Sequence, residues 1–472
     1  MTEALNDILL MRNEMMLIII MVVLLIMKVA DNGKSNGFWI GAVNAMLVVN
    51  CIVGWFPMQE GLLFGGVYKS FALGTFGKNI LNSGVLLISL VSTQWLRNCR
   101  HVVEFYLLLL SSLLGMFFMI SSGNLLLFYL ALELSTIPVA ALANFSFEER
   151  RSSEAAMKLI LSSAFASSIL LMGISFLYGA GGTINFEILT VIMNNSPLMI
   201  MGFVLIFVGI TFKLSIVPFH LWTADVYEGS PIPITIFLSV ISKGAMVFVL
   251  AFLLYHVFGA LAGSWYLLLY ILSMITMLTG NIFALRQNNL KRLLAFSSIT
   301  QIGYILVGIS GSSVEGLSSV VYFIIVYLFS NIAAFGVIAQ VANKSGSEDI
   351  SAMKGLAKSN PFLAWTMAIA LFSLAGIPPT AGFFGKIFLL KAGAGKGDLF
   401  LIAFASINMI IALAYYLRII KAMFMEEPET KLPKISTDLS FRVAAYICLA
   451  GIILTGFSGW LLTYIGELGL GL

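Results

Sequence analysis

Long apolar runs separated by short polar connections fill this chain from Met15 to Ile465. About fourteen of them reach the ~18 residues that cross a bilayer as a helix. The pattern predicts an all-α, polytopic membrane protein of about fourteen transmembrane helices. The first three spans fall near Met15–Val29, Phe38–Phe56 and Asn79–Leu96, with their few charges at the edges. The fourth runs from Val102 to Ile120, and the fifth, Asn124 to Phe145, carries Glu133 in LFYLALELSTIPVAAL. The sixth, Ser153 to Tyr178, has Glu154 and Lys158 at i,i+4, the favourable order for a helical ion pair. The seventh, Leu198 to Trp222, holds Lys213, and the eighth, Ile232 to Phe258, holds Lys243. Spans nine to eleven lie near Trp265–Ala284, Leu293–Ile309 and Leu317–Val341, the tenth with a polar patch, AFSSITQIGY. The twelfth, Pro361 to Leu390, is interrupted by AGIPPTAGFFGK; the last two are Leu399–Met423 and Ala444–Ile465.

Two places break the pattern. In FKLSIVPFHLWTADVYEGSPIPITIFLSVISK, Phe212 to Lys243, a lysine stands at or near each end of a polar knot. A charged side chain at the bilayer centre costs roughly 3 kcal/mol on insertion scales. Pro218 removes a backbone donor and clashes with the preceding turn, so the seventh helix is expected to break near it. Irregular backbone at membrane depth survives only when buried in protein or lining a watery cavity. The twelfth span repeats the device, with Pro378 and Pro379 at the break and Lys386 in the second piece. Two halves, each with a proline-broken helix carrying a lysine, fit a transporter built from repeated units.

Composition agrees. Sixty per cent hydrophobic residues, ten per cent charged and a mean hydropathy of +1.01 exclude an ordinary soluble domain. The net charge of +4 is spread over the loops and forms no basic face for nucleic acid. Cys51, Cys99 and Cys448 are far apart and read as packing residues. The lysines and arginines are asymmetric. Arg97, Arg100, Arg150, Arg151, Arg286, Arg292, Lys344, Lys354, Lys358, Lys431 and others gather on one side. Only Arg12, Lys69, Lys78, Lys391 and Lys396 fall on the other. Positive loops stay inside, so both termini are expected outside.

Glu133, Lys213, Lys243 and Lys386 are the mid-span charges and the candidates for chemistry. Burial favours the uncharged form of either group, and an opposite charge nearby favours the charged form. At an effective dielectric of about 20, unit charges about 4 Å apart interact by roughly 4 kcal/mol, and at about 10 Å by under 2. A partner that moves a few ångströms can therefore load or release a proton. Glu154 and Lys158 are either a local ion pair or part of an inner mouth. His220, just past the first break, is a candidate relay or a cap for broken backbone. His101 and His256 lie at span edges and read as structural. No Gly-rich phosphate loop, CxxC or haem ligand pair marks a redox cofactor.

The same stretches carry a resemblance. FKLSIVPFHLWTADVYEGSPIPITIFLSVISK, LALELSTIPVAAL, EAAMKLILSSAFASSILLMG, LKRLLAFSSITQIGYILVGI and SLAGIPPTAGFFGKIFLLKA resemble the subunit N family of respiratory complex I, from about residue 120 to 425. Ala224 departs from the family's usual proline in WTPDVY. The resemblance implies fourteen helices, with helices 4–8 (residues 101–260) and 9–13 (261–425) as inverted repeats. An N-terminal three-helix segment (1–100) and a C-terminal helix (426–472) flank them. It implies a proton path through Glu133, Lys213, Lys243 and Lys386; Glu154, Lys158, His220, Pro218 and Pro378 are the supporting candidates read from the residues themselves. NADH, FMN, iron–sulfur clusters and quinone are expected on partner subunits, with none in this chain. The setting implied is a bacterial inner membrane, among other membrane and peripheral subunits of complex I. A cation/proton antiporter subunit of the Mrp type is the alternative, with a similar fold and glutamate–lysine layout.

Overall fold

The computed structural model describes residues 9–31, 33–395, 397–428 and 433–469. Lys396 and Lys431, counted above among the loop charges, lie outside them. The long helices are α1 (Arg12–Val29), α2 (Asn36–Gly54), α3 (Ala72–Val91), α4 (Val102–Ile120), α5 (Leu125–Ala143) and α6 (Arg150–Gly181). Then come α7 (Pro197–Leu214), the short α8 (Leu221–Gly229), α9 (Ile232–Val257), α10 (Gly259–Leu285), α11 (Leu290–Ser310) and α12 (Val314–Ser345). The chain closes with α13 (Pro361–Ala375), α14 (Ala381–Ala394), α15 (Leu399–Met425), α16 (Leu439–Phe457) and α17 (Gly459–Leu468). Between α2 and α3 an antiparallel hairpin pairs β1 (Gly61–Leu63) with β2 (Tyr68–Ser70).

Among the described residues, eleven helices are long and apolar enough to cross a membrane, so the chain is an integral, multi-pass membrane protein. Inside a bilayer every backbone group must be satisfied within the protein, and helices do this span by span. The bundle is layered around α11, which is buried along its whole length, with α9 and α12 almost as deep. The outer helices α2, α6, α10, α15 and α16 turn Val48, Phe165, Ile275, Ile410 and Leu454 outward. An apolar side chain facing lipid is at no disadvantage there.

Two expectations need correction. The third helix is Ala72–Val91, not Asn79–Leu96. The hydropathy pattern placed Lys78 in an outer loop, whereas it is 1% exposed inside α3 and ion-paired to Glu14 of α1 at 2.5 Å. The polar residues that pushed the predicted span downstream are satisfied by neighbouring helices. Asn79 donates to the Gly54 carbonyl at 2.7 Å and Asn82 accepts from Asn50 at 3.0 Å. Second, the last span divides at Ser458 into α16 and α17. The seventh span is interrupted near Pro218 as expected: α7 ends at Leu214, and Pro218 lies in the loop before α8.

Candidate functional site

The first break ends α7 with Ser215 in the left-handed region, φ 61°. Ile216 N–H then bonds back to the Thr211 carbonyl at 2.9 Å, and Trp222 Nε1 donates to the Phe212 carbonyl at 3.1 Å. These bonds satisfy carbonyls that a helix end leaves open. Pro218 lies inside the loop that follows. Lys213, the second-last residue of α7, donates to Thr136 Oγ1 of α5 and Ser163 Oγ of α6, each at 2.6 Å. Glu133 sits one turn before Thr136. Its Oε1 is buried without a hydrogen-bond partner, and no ion pair joins it to Lys213 among the described residues. The structure thus brings both groups to the α5–α6–α7 interface, with Thr136 as the direct lysine partner.

Lys243 is 2% exposed. It begins a regular α-helical segment after a π-helical stretch, Phe237–Ser242, a form that gathers at functional positions. Its Nζ donates to Ser298 Oγ of α11 at 2.8 Å and stands 5.6 Å from the centre of the Tyr227 ring. Ser239 of the π stretch and Tyr327 of α12 share a hydrogen bond of 3.1 Å.

Lys386 in α14 is fully buried. Its Nζ donates to the carbonyls of Leu374, at 2.6 Å, and Ala375, at 3.2 Å, which end α13. It lies 4.9 Å from the centre of the Tyr304 ring. The Leu374 carbonyl also accepts from Gln301 Nε2 at 3.1 Å. Gln301 donates to Tyr416 OH at 3.3 Å, and Tyr416 OH is hydrogen-bonded to Ser297. Helix α11 thereby stands between two lysines: Ser298, which itself donates to the Ala295 carbonyl at 2.7 Å, holds Lys243, while its neighbour Ser297 belongs to a separate set of bonds that reaches the Leu374 carbonyl under Lys386. The polar patch AFSSITQIGY supplies both sets.

The remaining candidates are dispersed. Glu154 and Lys158 do form the local ion pair, at 2.7 Å, in a half-exposed position. Lys158 also reaches Asp225 at 2.6 Å, and Arg292 clamps Asp225 at 2.7 Å and Glu228 at 2.9 Å. Sequence reading missed Asp225 and Arg292; charges so close to span ends carried no signal. His220 is buried, its ring 6.4 Å from that of Phe283, and neither ring nitrogen makes a hydrogen bond to any of the four central charges. Pro378 lies in the gap between α13 and α14. Among the described residues, no group of three or more His, Cys, Asp or Glu is placed to hold a metal ion.

The family described as "NADH:quinone oxidoreductase/Mrp antiporter, TM" matches residues 122–412. The chain is 45% identical over 432 residues to NADH-quinone oxidoreductase subunit N of Azobacteroides pseudotrichonymphae, covering 90% of each. A chain of respiratory complex I from Thermus thermophilus superposes with a TM-score of 0.82 at 26% identity, over 96% of this chain and 98% of that one. A chain of the Mrp complex from Dietzia superposes with a TM-score of 0.85 at 19% identity, over 98% and 96%, a likeness of fold. The buried lysine line thus lies within the matched region, and the chain belongs to the NADH:quinone oxidoreductase subunit N family of membrane subunits, related to the Mrp-type antiporters.

Proposed function

We propose that this chain moves protons across the membrane through Glu133, Lys213, Lys243 and Lys386, driven by redox chemistry in other subunits of a complex I assembly. The observation that carries this reading is the full burial of Lys243 and Lys386 beside α11, where hydroxyl and carbonyl oxygens hold them and no carboxylate is ion-paired to either among the described residues. Burial without a counter-charge favours the neutral amine and an approaching negative charge favours the ammonium, so such a lysine can load and release a proton. The test is Lys243→Met in the assembled complex, reconstituted in vesicles. Quinone-linked NADH oxidation and proton uptake should fall together. Unchanged pumping would remove Lys243 from the path. Subunits of complex I that co-purify with the tagged chain favour this reading, and cation-antiporter subunits in their place would refute it.

The architecture proposed with it has fourteen crossings. Helices α1 and α3 add two to the eleven, and α13 with α14 add one. Residues 101–260 and 261–425 are inverted repeats, between the 1–100 segment and the 426–472 helix. Paired backbone details support the repeat. Asn124 and Asn289 cap α5 and α11. Leu125 N–H reaches the Ile184 carbonyl as Leu290 N–H reaches that of Glu348, at 2.9 and 2.8 Å. Helices α6 and α12 are each 32 residues long and end on a left-handed glycine, Gly182 and Gly346. An even number of crossings puts both termini on one side, and the loop charges favour the outer side of a bacterial inner membrane. NADH, FMN, iron–sulfur clusters and quinone belong to partner subunits in this reading.

A further inference from the structure

We propose that the Glu14–Lys78 ion pair is a positioning site, which latches α1 and the β1–β2 hairpin onto α3 and α4 and so sets where the Glu133 helix starts. Both side chains are fully buried, 0% and 1% exposed. Lys78 Nζ donates to Glu14 Oε1 at 2.5 Å, Ser121 Oγ at 2.5 Å and Tyr68 OH at 3.2 Å, which uses all three of its N–H groups. Tyr68 OH in turn donates to Glu14 Oε2 at 3.0 Å. One cluster therefore ties α1, β2, α3 and the end of α4. Among the described residues no hydrogen bond leads from it to Lys213, Lys243 or Lys386, which sets it apart from the proposed path. A charge buried alone in an apolar bundle is strongly disfavoured, and each member of the pair holds the other in place.

The hairpin carries this restraint to α5. Lys69 N–H donates to the Ser121 carbonyl at 2.8 Å, and Gly123 N–H to the Val67 carbonyl at 2.7 Å. The approach is so close that a Cβ on Gly123 would stand 2.0 Å from the Gly66 oxygen. The next residue, Asn124, caps α5, its side chain accepting from Leu127 N–H at 2.7 Å. Glu133 follows nine residues later on the same helix. On its other edge the hairpin is held by Lys69, paired with Glu187 of the short Phe186–Ile192 helix at 2.9 Å. That ammonium keeps the Glu187 carboxyl below the usual carboxylate range. The hairpin is thus clamped between the buried pair and the Phe186–Ile192 helix. Tyr68 and Ser121 offer hydroxyls that donate or accept, so the cluster tolerates an exchange of the two charges.

This inference rests on the proton-path reading for its functional half, and two readouts in the intact complex separate them. The first is oxidative cross-linking of Lys69→Cys with Glu187→Cys, which reports hairpin position without reference to activity. The second is proton pumping per assembled complex, in chains that keep Lys69 and Glu187. Glu14→Gln and Lys78→Met should each lower cross-linking and pumping several-fold. The exchange Glu14→Lys with Lys78→Glu should restore both close to the unsubstituted level, which a purely local packing defect would not do for pumping. Cross-linking unchanged by the single substitutions overturns the latch. Pumping unchanged while cross-linking falls overturns the positioning role, as does an exchange variant no better than the singles. Glu133→Gln, measured alongside, judges the path itself: if it pumps normally the path reading fails, while cross-linking still decides the latch.

Discussion

At the first break Ser215 occupies the left-handed position that Gly376 occupies at the second, with φ 61° and 86°. Ile216 N–H returns to the Thr211 carbonyl and Ile377 N–H to that of Phe372, each at 2.9 Å. The backbones match residue for residue, but the charges do not. Counting from these two residues, Lys213 corresponds to Leu374 and Lys386 to Asp225. Counting from the caps Asn124 and Asn289, Glu133 corresponds to Ser298. In the first half the lysine precedes the break and the nearby helix carries a carboxylate. In the second half the lysine follows the break and rests on the open carbonyls of Leu374 and Ala375, where Lys213 rests on the hydroxyls of Thr136 and Ser163. A helix C-terminus carries roughly half a negative charge, so it is a fixed partner that cannot be protonated. Asp225, in the position of Lys386, instead serves Lys158 and Arg292. One backbone device therefore supports two arrangements, a lysine on side-chain hydroxyls in one half and a lysine on helix-end carbonyls in the other.

The sharpest way to break this comparison is to remove each lysine. Lys213→Ala and Lys386→Ala should each reduce pumping and quinone-linked NADH oxidation about tenfold or more, equivalent to about 1.4 kcal/mol in the barrier. Both complexes should still assemble, as judged by subunit content in the purified membrane fraction. Normal pumping in one variant would leave only the other half in the path.

Next in size is the carboxylate of the first half. Glu133→Gln should lower pumping several-fold and Glu133→Asp less, because aspartate keeps the charge but retracts it by one methylene. Adding Lys213→Ala to Glu133→Gln should cost little beyond the larger single effect, since members of one unit are not additive. Because Thr136 and Ser163 are the residues hydrogen-bonded to Lys213, fully additive losses would show that the carboxylate does not act on this lysine.

The third test is Gly376→Ala. A side chain at this φ is strained by roughly 1–2 kcal/mol, and its Cβ would stand 3.1 Å from Lys386 Cδ. We expect a lower thermal midpoint together with a pumping loss of a few-fold. A lowered midpoint with intact pumping would mean that the carbonyl cradle does not need this geometry. The smallest effect is expected from Ser215→Gly. Relief of the left-handed strain, about 1 kcal/mol, offsets loss of the 2.6 Å hydrogen bond from Thr223, worth about 1 kcal/mol. The thermal midpoint should barely move, whereas a large drop would show that the Ser215 hydroxyl holds the break together.

Much of the molecule was legible in the sequence because a bilayer enforces simple rules. A run long enough to span must be helical, and a lysine inside it must face protein. This is why the bundle, both interrupted helices and the burial of Lys243 and Lys386 could be read from residue order, and why the patch AFSSITQIGY stood out. What the tertiary structure alone decided is which groups meet. Lys78 read as a loop charge until Glu14, Tyr68 and Ser121 were seen around it, and no periodicity along α3 encodes partners from three other elements. Lys386 rests on backbone carbonyls, which every residue has and no sequence pattern marks. Lys213 and Glu133 stood out as mid-span charges, but only the fold shows that Thr136 and Ser163 hold the lysine. Hydropathy is summed along one helix, whereas a buried charge is satisfied across several, and so its partners belong to the packed fold.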